Sequence, residues 1–259
     1  MMVVQRVVPE EIWTRLREFT QARIGLGRVG HSLPLAEVLG FQFAHAQARD
    51  AVLRPANFLE LVQGLEALGA KTVEVHSQVR NRDEYLRRPD YGRRLDEDSA
   101  DRLRVLGARE GGGLDVVFIV GDGLSSFAVE KHALPVLDRM RKYAAREGWR
   151  VGPVVIARQA RVALSDEVGG LLGARCAAIL IGERPGLSSA DSLGIYLTYG
   201  PKVGNLDAAR NCISNIHPTG LSHDLASHKL HFLLREALRL KLSGVALKDT
   251  SDQVPMLPP

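Results

Sequence analysis

Cysteine is nearly absent: Cys176 and Cys212 are the only two in 259 residues. That excludes a disulfide scaffold and a multi-cysteine zinc module, and it fits a reducing cytoplasm. Aromatics make up only 5% of the chain, which leaves few platforms for stacking bases. Neither sign of charge dominates: 34 Lys+Arg stand against 30 Asp+Glu, a formal +4, and the two signs are interspersed. A nucleic-acid footprint needs clustered cations, so no nucleic-acid partner is expected. Long apolar runs are missing too. Stretches such as Ala177–Ile181 are too short to cross a bilayer, so no membrane partner is expected. The opening Met1-Met2-Val3-Val4-Gln5-Arg6 has neither the apolar core nor the small-residue cleavage site of a secretory signal.

Hydrophobic residues are 45% of the chain and charged residues 25%, enough apolar surface to offset chain entropy in a folded protein. The length sits near the size where one core stops growing, so one large domain or two unequal ones are both open.

The front of the chain reads helical. Pro9-Glu10-Glu11 suits a first helical turn, with Ile12, Leu16 and Phe19 following at helical spacing. A glycine-rich stretch, residues 20–32, precedes a helix that Ser32 is placed to cap and whose first turn holds Pro34. Residues 55–66 give another amphipathic helix, and Thr72–Val75 is the main strand signal before residue 113. A polar segment, 81–101, and the break Glu110-Gly111-Gly112-Gly113 mark a boundary. The division expected is a mainly helical region over 1–112 and a Rossmann-like α/β unit over 113–259.

Beyond the glycines the pattern changes. Leu114–Val120, Val151–Ala157 and Cys176–Ile181 are short, β-branched, apolar runs, and Ile195–Tyr199 is a fourth. Between them lie a helix running to Glu147 with Pro135 inside it, a short helix opening at Ser165, and a long amphipathic helix from His223 to about Leu242. Strand–helix alternation predicts an α/β fold with a parallel sheet covered by helices. The tail, Gln253–Pro259, holds three prolines and is expected to be loose.

Several constellations invite chemistry, and each has a plainer reading. Gly121-x-Gly123-x-x-Ser126 stands where a dinucleotide fingerprint would, but it lacks the third glycine and the later acidic residue. A turn that lets backbone approach something closely is the plainer account. Asp122, Ser125 and His132 could be drawn as a hydrolase triad, without the Gly-x-Ser-x-Gly elbow that usually carries it. His223, His228 and His231 could share a metal, but no Glu-bearing zinc signature accompanies them, and solvated helix-face histidines are expected. Cys176 reads as a core residue. Cys212 is an isolated thiol in polar surroundings, where an adjacent arginine could favour the thiolate. Glu183, in Gly182-Glu183-Arg184-Pro185-Gly186, is either a carboxylate offered to a ligand's N–H or O–H groups or a surface ion pair.

At these residues the sequence resembles a family, the small subunit of ethanolamine ammonia-lyase. The resemblance rests on ordered segments between about residues 20 and 249. They include Thr20-Gln21-Ala22-Arg23-Ile24-Gly25-Leu26-Gly27-Arg28, Phe41-Gln42-Phe43-Ala44-His45, Gly121-Asp122-Gly123-Leu124-Ser125, Ala157-Arg158-Gln159-Ala160-Arg161-Val162, Ile181-Gly182-Glu183-Arg184-Pro185-Gly186-Leu187-Ser188-Ser189-Ala190-Asp191-Ser192 and Arg210-Asn211-Cys212-Ile213-Ser214-Asn215-Ile216. It implies an accessory subunit of a carbon–nitrogen lyase, partnered by a larger catalytic subunit that holds ethanolamine. The family assembles as a heterododecamer of six large and six small subunits. Adenosylcobalamin binds at the subunit junction, and its Co–C homolysis starts the radical conversion of ethanolamine to acetaldehyde and ammonia.

The resemblance also carries three cobalamin contacts onto this chain: Val162, Glu183 and Cys212. No catalytic residue and no metal ligand are implied here. Some relatives are encapsulated in a bacterial microcompartment, on which this sequence gives no reading. The amino-acid choices over 76–112 look less like the family's. A non-enzymatic small-molecule-binding or interaction module with a doubly wound fold is the alternative. A nucleotide-dependent oxidoreductase would rest on the glycine loop alone.

Overall fold

The computed structural model describes residues 10–256, with side chains from Ile12 onward. Pro9 and the last residues of the tail lie outside that range. Eight α-helices and six strands follow in chain order among the described residues. The front part supplies α1 (Glu10–Arg17), α2 (Leu35–Leu53), α3 (Leu59–Ala67), β1 (Thr72–His76), α4 (Arg82–Arg87) and α5 (Glu97–Glu110). The rest supplies β2 (Leu114–Gly121), α6 (Ser126–Glu147), β3 (Val154–Arg158), α7 (Leu164–Leu171), β4 (Ala174–Gly182), β5 (Leu193–Tyr199), β6 (Arg210–Ile216) and α8 (His223–Leu240).

The strands form one six-stranded sheet in the order β1-β3-β2-β4-β5-β6. The pairs β1–β3, β3–β2 and β2–β4 are parallel. The pairs β4–β5 and β5–β6 are antiparallel. The expected parallel sheet is therefore a mixed one. The reason is loop length: 183–192 and 200–209 are the only chain between successive strands, and a parallel return needs a crossover of roughly a dozen residues or more. β1 comes from before the glycine break and is an edge strand of this same sheet.

Alternation along the strands sends side chains to two cores. Val116, Phe118 and Val120 of β2, with Cys176, Ala178 and Leu180 of β4, face one core that α3, α6 and α8 close. Val117 and Ile119, with Ala177, Ile179 and Ile181, face the other, which α5 and α7 close. Ile195 and Leu197 of β5 and Ile213 and Ile216 of β6 join the first core. Their opposite-facing neighbours, Tyr196 on β5 and Cys212 and Ser214 on β6, lie on the other face, beyond the part of β4 that α7 covers. The candidate site is on that face.

Local signals explain the helix ends. Ser125 caps α6 by accepting from the Ala128 N–H, and Gly148 ends it in the left-handed region at φ +68°. Ser222 caps α8 in the same way. Ser32 does not cap α2; it bridges to Val29, and Pro34 occupies the N-cap position without a side-chain bond. The tail is tied down as far as Val254, which packs on the core, and the Ser251 carbonyl meets His228 Nε2 at 3.1 Å.

Candidate functional site

Three loops or strands converge on the open face. Val162 lies in the loop 159–163, just past the carboxyl end of β3. A buried carboxylate, Asp122, fixes that loop. It accepts the Gln159 and Ala160 N–H groups at 2.9 Å each and the Gly123 N–H at 3.0 Å. Arg82 pairs with it at 3.6 Å. Residues before the glycine break complete the clamp. The Tyr85 hydroxyl donates to the Ala160 carbonyl at 2.9 Å, the Ser77 hydroxyl donates to the Gln159 carbonyl at 2.8 Å, and the Gly92 carbonyl accepts the Arg161 N–H at 2.8 Å. Gln159 itself is held at φ +53°, a conformation that costs a non-glycine residue roughly 1–3 kcal/mol unless its surroundings enforce it.

Glu183 follows β4 directly. Its carboxylate accepts from the Ser192 hydroxyl at 2.5 Å, the Ser214 hydroxyl at 2.6 Å and the Asn215 N–H at 3.1 Å. Gly194 makes room for it: a Cβ there would stand 2.8 Å from Oε1. A carboxylate has about four lone-pair sites, so one remains for an outside N–H or O–H donor. The ion-pair alternative is not what forms, because its three protein partners are two hydroxyls and an amide.

Cys212 stands opposite Tyr196 in the β5–β6 ladder, two residues before Ser214 on the same strand. It is exposed, yet desolvation by the neighbouring chain pushes its thiol up, the Tyr196 hydroxyl pulling the other way and Glu183 adding to the rise. Among the described residues no arginine favours the thiolate, in keeping with a structural or ligand-contacting thiol over a nucleophile. Arg210 is committed to a buried ion pair with Asp166 and also donates to the Leu206 carbonyl at 2.7 Å. Cys176 is fully buried, its thiol pushed up to about 12 by burial, in keeping with a core role.

Val162 and Cys212 line one cavity of about 300 Å³, together with Tyr196, Arg93, Arg161 and Arg210. Glu183 does not line it, but its partner Ser214 lies two residues along β6 from Cys212. The three residues singled out from sequence are thus brought to one region. Sequence reasoning missed Ser192, Ser214 and Asn215 as holders of Glu183, although all three lie in the segments that carried the resemblance.

The other constellations come apart. Gly123, at φ +59°, lets its turn pack on the end of β4: a Cβ would stand 2.2 Å from the Gly182 carbonyl oxygen, and the Leu124 N–H donates to that oxygen at 2.9 Å. The loop's close approach is made to protein backbone, the plainer of the two readings. Ser125 donates to the Ala190 carbonyl at 2.6 Å, while His132 Nδ1 meets His223 Nε2 at 3.0 Å, so Asp122, Ser125 and His132 serve separate contacts. His228 and His231 are buried, contrary to the expected solvated face. His231 stacks on Tyr143 at 4.3 Å and meets Glu147 at 2.7 Å. Among the described residues no group of three or more His, Cys, Asp or Glu is placed to hold a metal ion.

The sequence comparisons are decisive for the family. The family model described as ethanolamine ammonia-lyase light chain (EutC) matches residues 10–248. This chain belongs to that family. A relative named ethanolamine ammonia-lyase small subunit, from Azotobacter vinelandii, is 55% identical over 94% of this chain and 90% of its own length. Those of the same name from Xanthomonas campestris pv. campestris and Pseudomonas putida are 55% and 54% identical, over 95% and 94% of this chain and 90% of their own lengths. The chain is a light chain of a carbon–nitrogen lyase. No described helix is long and apolar enough to cross a membrane.

Proposed function

We propose that this chain is the small subunit of an adenosylcobalamin-dependent ethanolamine ammonia-lyase, and that its 113–259 part forms one wall of the cofactor site against a large, substrate-holding subunit. The observation that supports this most is the meeting of Val162 and Cys212, from distant parts of the chain, at one cavity beside a carboxylate with an unused acceptor position. Those residues suit a corrinoid's edge. Val162 offers an apolar surface, Cys212 a compact uncharged thiol, and Glu183 an acceptor for an amide N–H of the corrin side chains. The bound cofactor supplies a homolysable Co–C bond. This chain's residues bind and orient it and exclude water from its edge. The catalytic groups that touch ethanolamine belong to the partner. The assembly proposed is six large and six small subunits.

The test is reconstitution. The large subunit mixed with this chain and adenosylcobalamin should release ammonia from ethanolamine, and the large subunit with cofactor alone should not. Full activity without this chain would refute the subunit role.

A further inference from the structure

Arginine is dense over residues 80–94, and most of it is neutralised locally. Arg80 pairs with Glu84 at 2.7 Å, Arg82 with Asp122 at 3.6 Å, Arg88 with Asp90 at 2.7 Å and Arg94 with Glu167 at 2.9 Å. Arg87 reaches Asp83 at 4.0 Å. Among the described residues, Arg93 and Arg161 have no carboxylate at ion-pair distance, and both line the cavity that Val162 and Cys212 share. Arg161 is anchored: Nη2 donates to the Tyr85 carbonyl at 3.0 Å, and the guanidinium carbon lies 4.1 Å from the centre of the Tyr85 ring. Its Nε is buried without a hydrogen-bond partner. Arg93 is exposed at the mouth. The remaining charges on the cavity balance each other, since Arg210 is held by Asp166 and Asp207 lies 3.4 Å from Arg210.

A buried donor without a partner is destabilising until something accepts from it. Two guanidiniums without a carboxylate partner beside an apolar wall therefore mark a place where an anion is favoured. We infer that Arg93 and Arg161 form an anion subsite that takes the phosphodiester of the corrinoid's nucleotide loop. This rests on the cofactor reading proposed above. The corrin's own side chains end in neutral amides, which suit Glu183. The phosphodiester is the anionic substituent, and a planar guanidinium fork matches two of its oxygens. This face thereby sorts the ligand's groups by charge: the Glu183 carboxylate beside the cavity to amides, the guanidiniums on it to phosphate.

Two ligands separate the possibilities in the reconstituted two-subunit complex: hydroxocobalamin, and hydroxocobinamide, which lacks the phosphodiester and nucleotide. Binding is read from the corrinoid absorption spectrum, independently of turnover. Arg93→Gln and Arg161→Gln should each weaken hydroxocobalamin by about 10- to 100-fold and leave hydroxocobinamide within about twofold. Arg161→Lys, which keeps charge but loses the fork, should fall between. Added salt should weaken hydroxocobalamin less in the double Gln variant than in the unaltered complex. Equal losses for both corrinoids, or no loss for hydroxocobalamin, would overturn the subsite. If Arg161→Gln does not fold, Arg93→Gln, a change to an exposed side chain, decides alone. Failure of the unaltered complex to bind either corrinoid would instead refute the cofactor reading, a result distinct from failure of the subsite.

Discussion

The Ser214 hydroxyl donates to Glu183 Oε1 across 2.6 Å, which fixes the loop after β4 to the edge strand β6 two residues from Cys212. That bond orients a carboxylate with acceptor capacity to spare. Ser214→Ala should therefore leave folding nearly unchanged, within about 1.5 kcal/mol, because the group it frees is partly exposed. Glu183→Ala should cost more in binding, about 1–3 kcal/mol of corrinoid affinity, since it removes the acceptor itself. Spectral titration of the two variants in the complex gives the comparison. Equal affinities for both variants and the unaltered protein would count against a cofactor contact at Glu183.

Asp122 predicts a stability effect at a distance from any ligand. Burial pushes its carboxyl up, and Arg82 with the three amides at residues 123, 159 and 160 pulls the other way. Asp122→Ala strands Arg82 and the amides of 159 and 160, at a cost of about 3–5 kcal/mol to folding. Chemical denaturation should show it. A loss under about 1 kcal/mol would mean that the loop carrying Val162 is held by its other partners alone.

The histidines set an acid limit. Burial lowers His132, His223 and His231 below their ordinary 6.5. Below that pH the unfolded chain binds more protons than the folded one, so stability rises with pH through this window and is lost as pH falls below about 6.5. Each fully depressed histidine contributes up to about 1.4 kcal/mol per pH unit there. Denaturation midpoints should rise from pH 5.5 to about 6.5 and level off by about pH 7.5. Replacing His132 and His223 together by glutamine should flatten part of that slope.

Thiol chemistry distinguishes the two cysteines. Cys212 is exposed but its thiol is pushed up, so it should alkylate slowly near pH 7 and faster as pH rises towards 9. Cys176 should react only after unfolding. Mass spectrometry of iodoacetamide adducts, native and denatured, checks both. A bound corrinoid in the complex should protect Cys212.

Much of this architecture is legible in the amino-acid order, for physical reasons. β2 and β4 are buried on both faces, so their apolar runs announce strands. Glycine after Glu147 marks the end of α6 because only its backbone takes φ +68° without cost. β6 escaped notice because it is an edge strand with one polar face: Cys212, Ser214 and Asn215 are exposed while Ile213 and Ile216 reach the core. α5 escaped because Ser99, Ala100 and Leu103 are its only buried positions and charge covers the rest. Asp96, which accepts the Ser99 N–H, was the readable cap. The antiparallel turn at β5 was available from the short connection 183–192. For the site, Glu183 and Cys212 stood out from their own surroundings, while Val162 and the cofactor role of all three came from the family resemblance. The clamp through Asp122, Tyr85 and Ser77 is a tertiary fact that no local pattern encodes.

The claim at the centre is that a corrinoid's edge lies against this chain. Titrating adenosylcobalamin into the large subunit with and without this chain, followed by absorption, tests it most directly. Tight binding only when both chains are present, weakened by Glu183→Ala, is the result expected. Binding of equal strength to the large subunit alone would contradict the account.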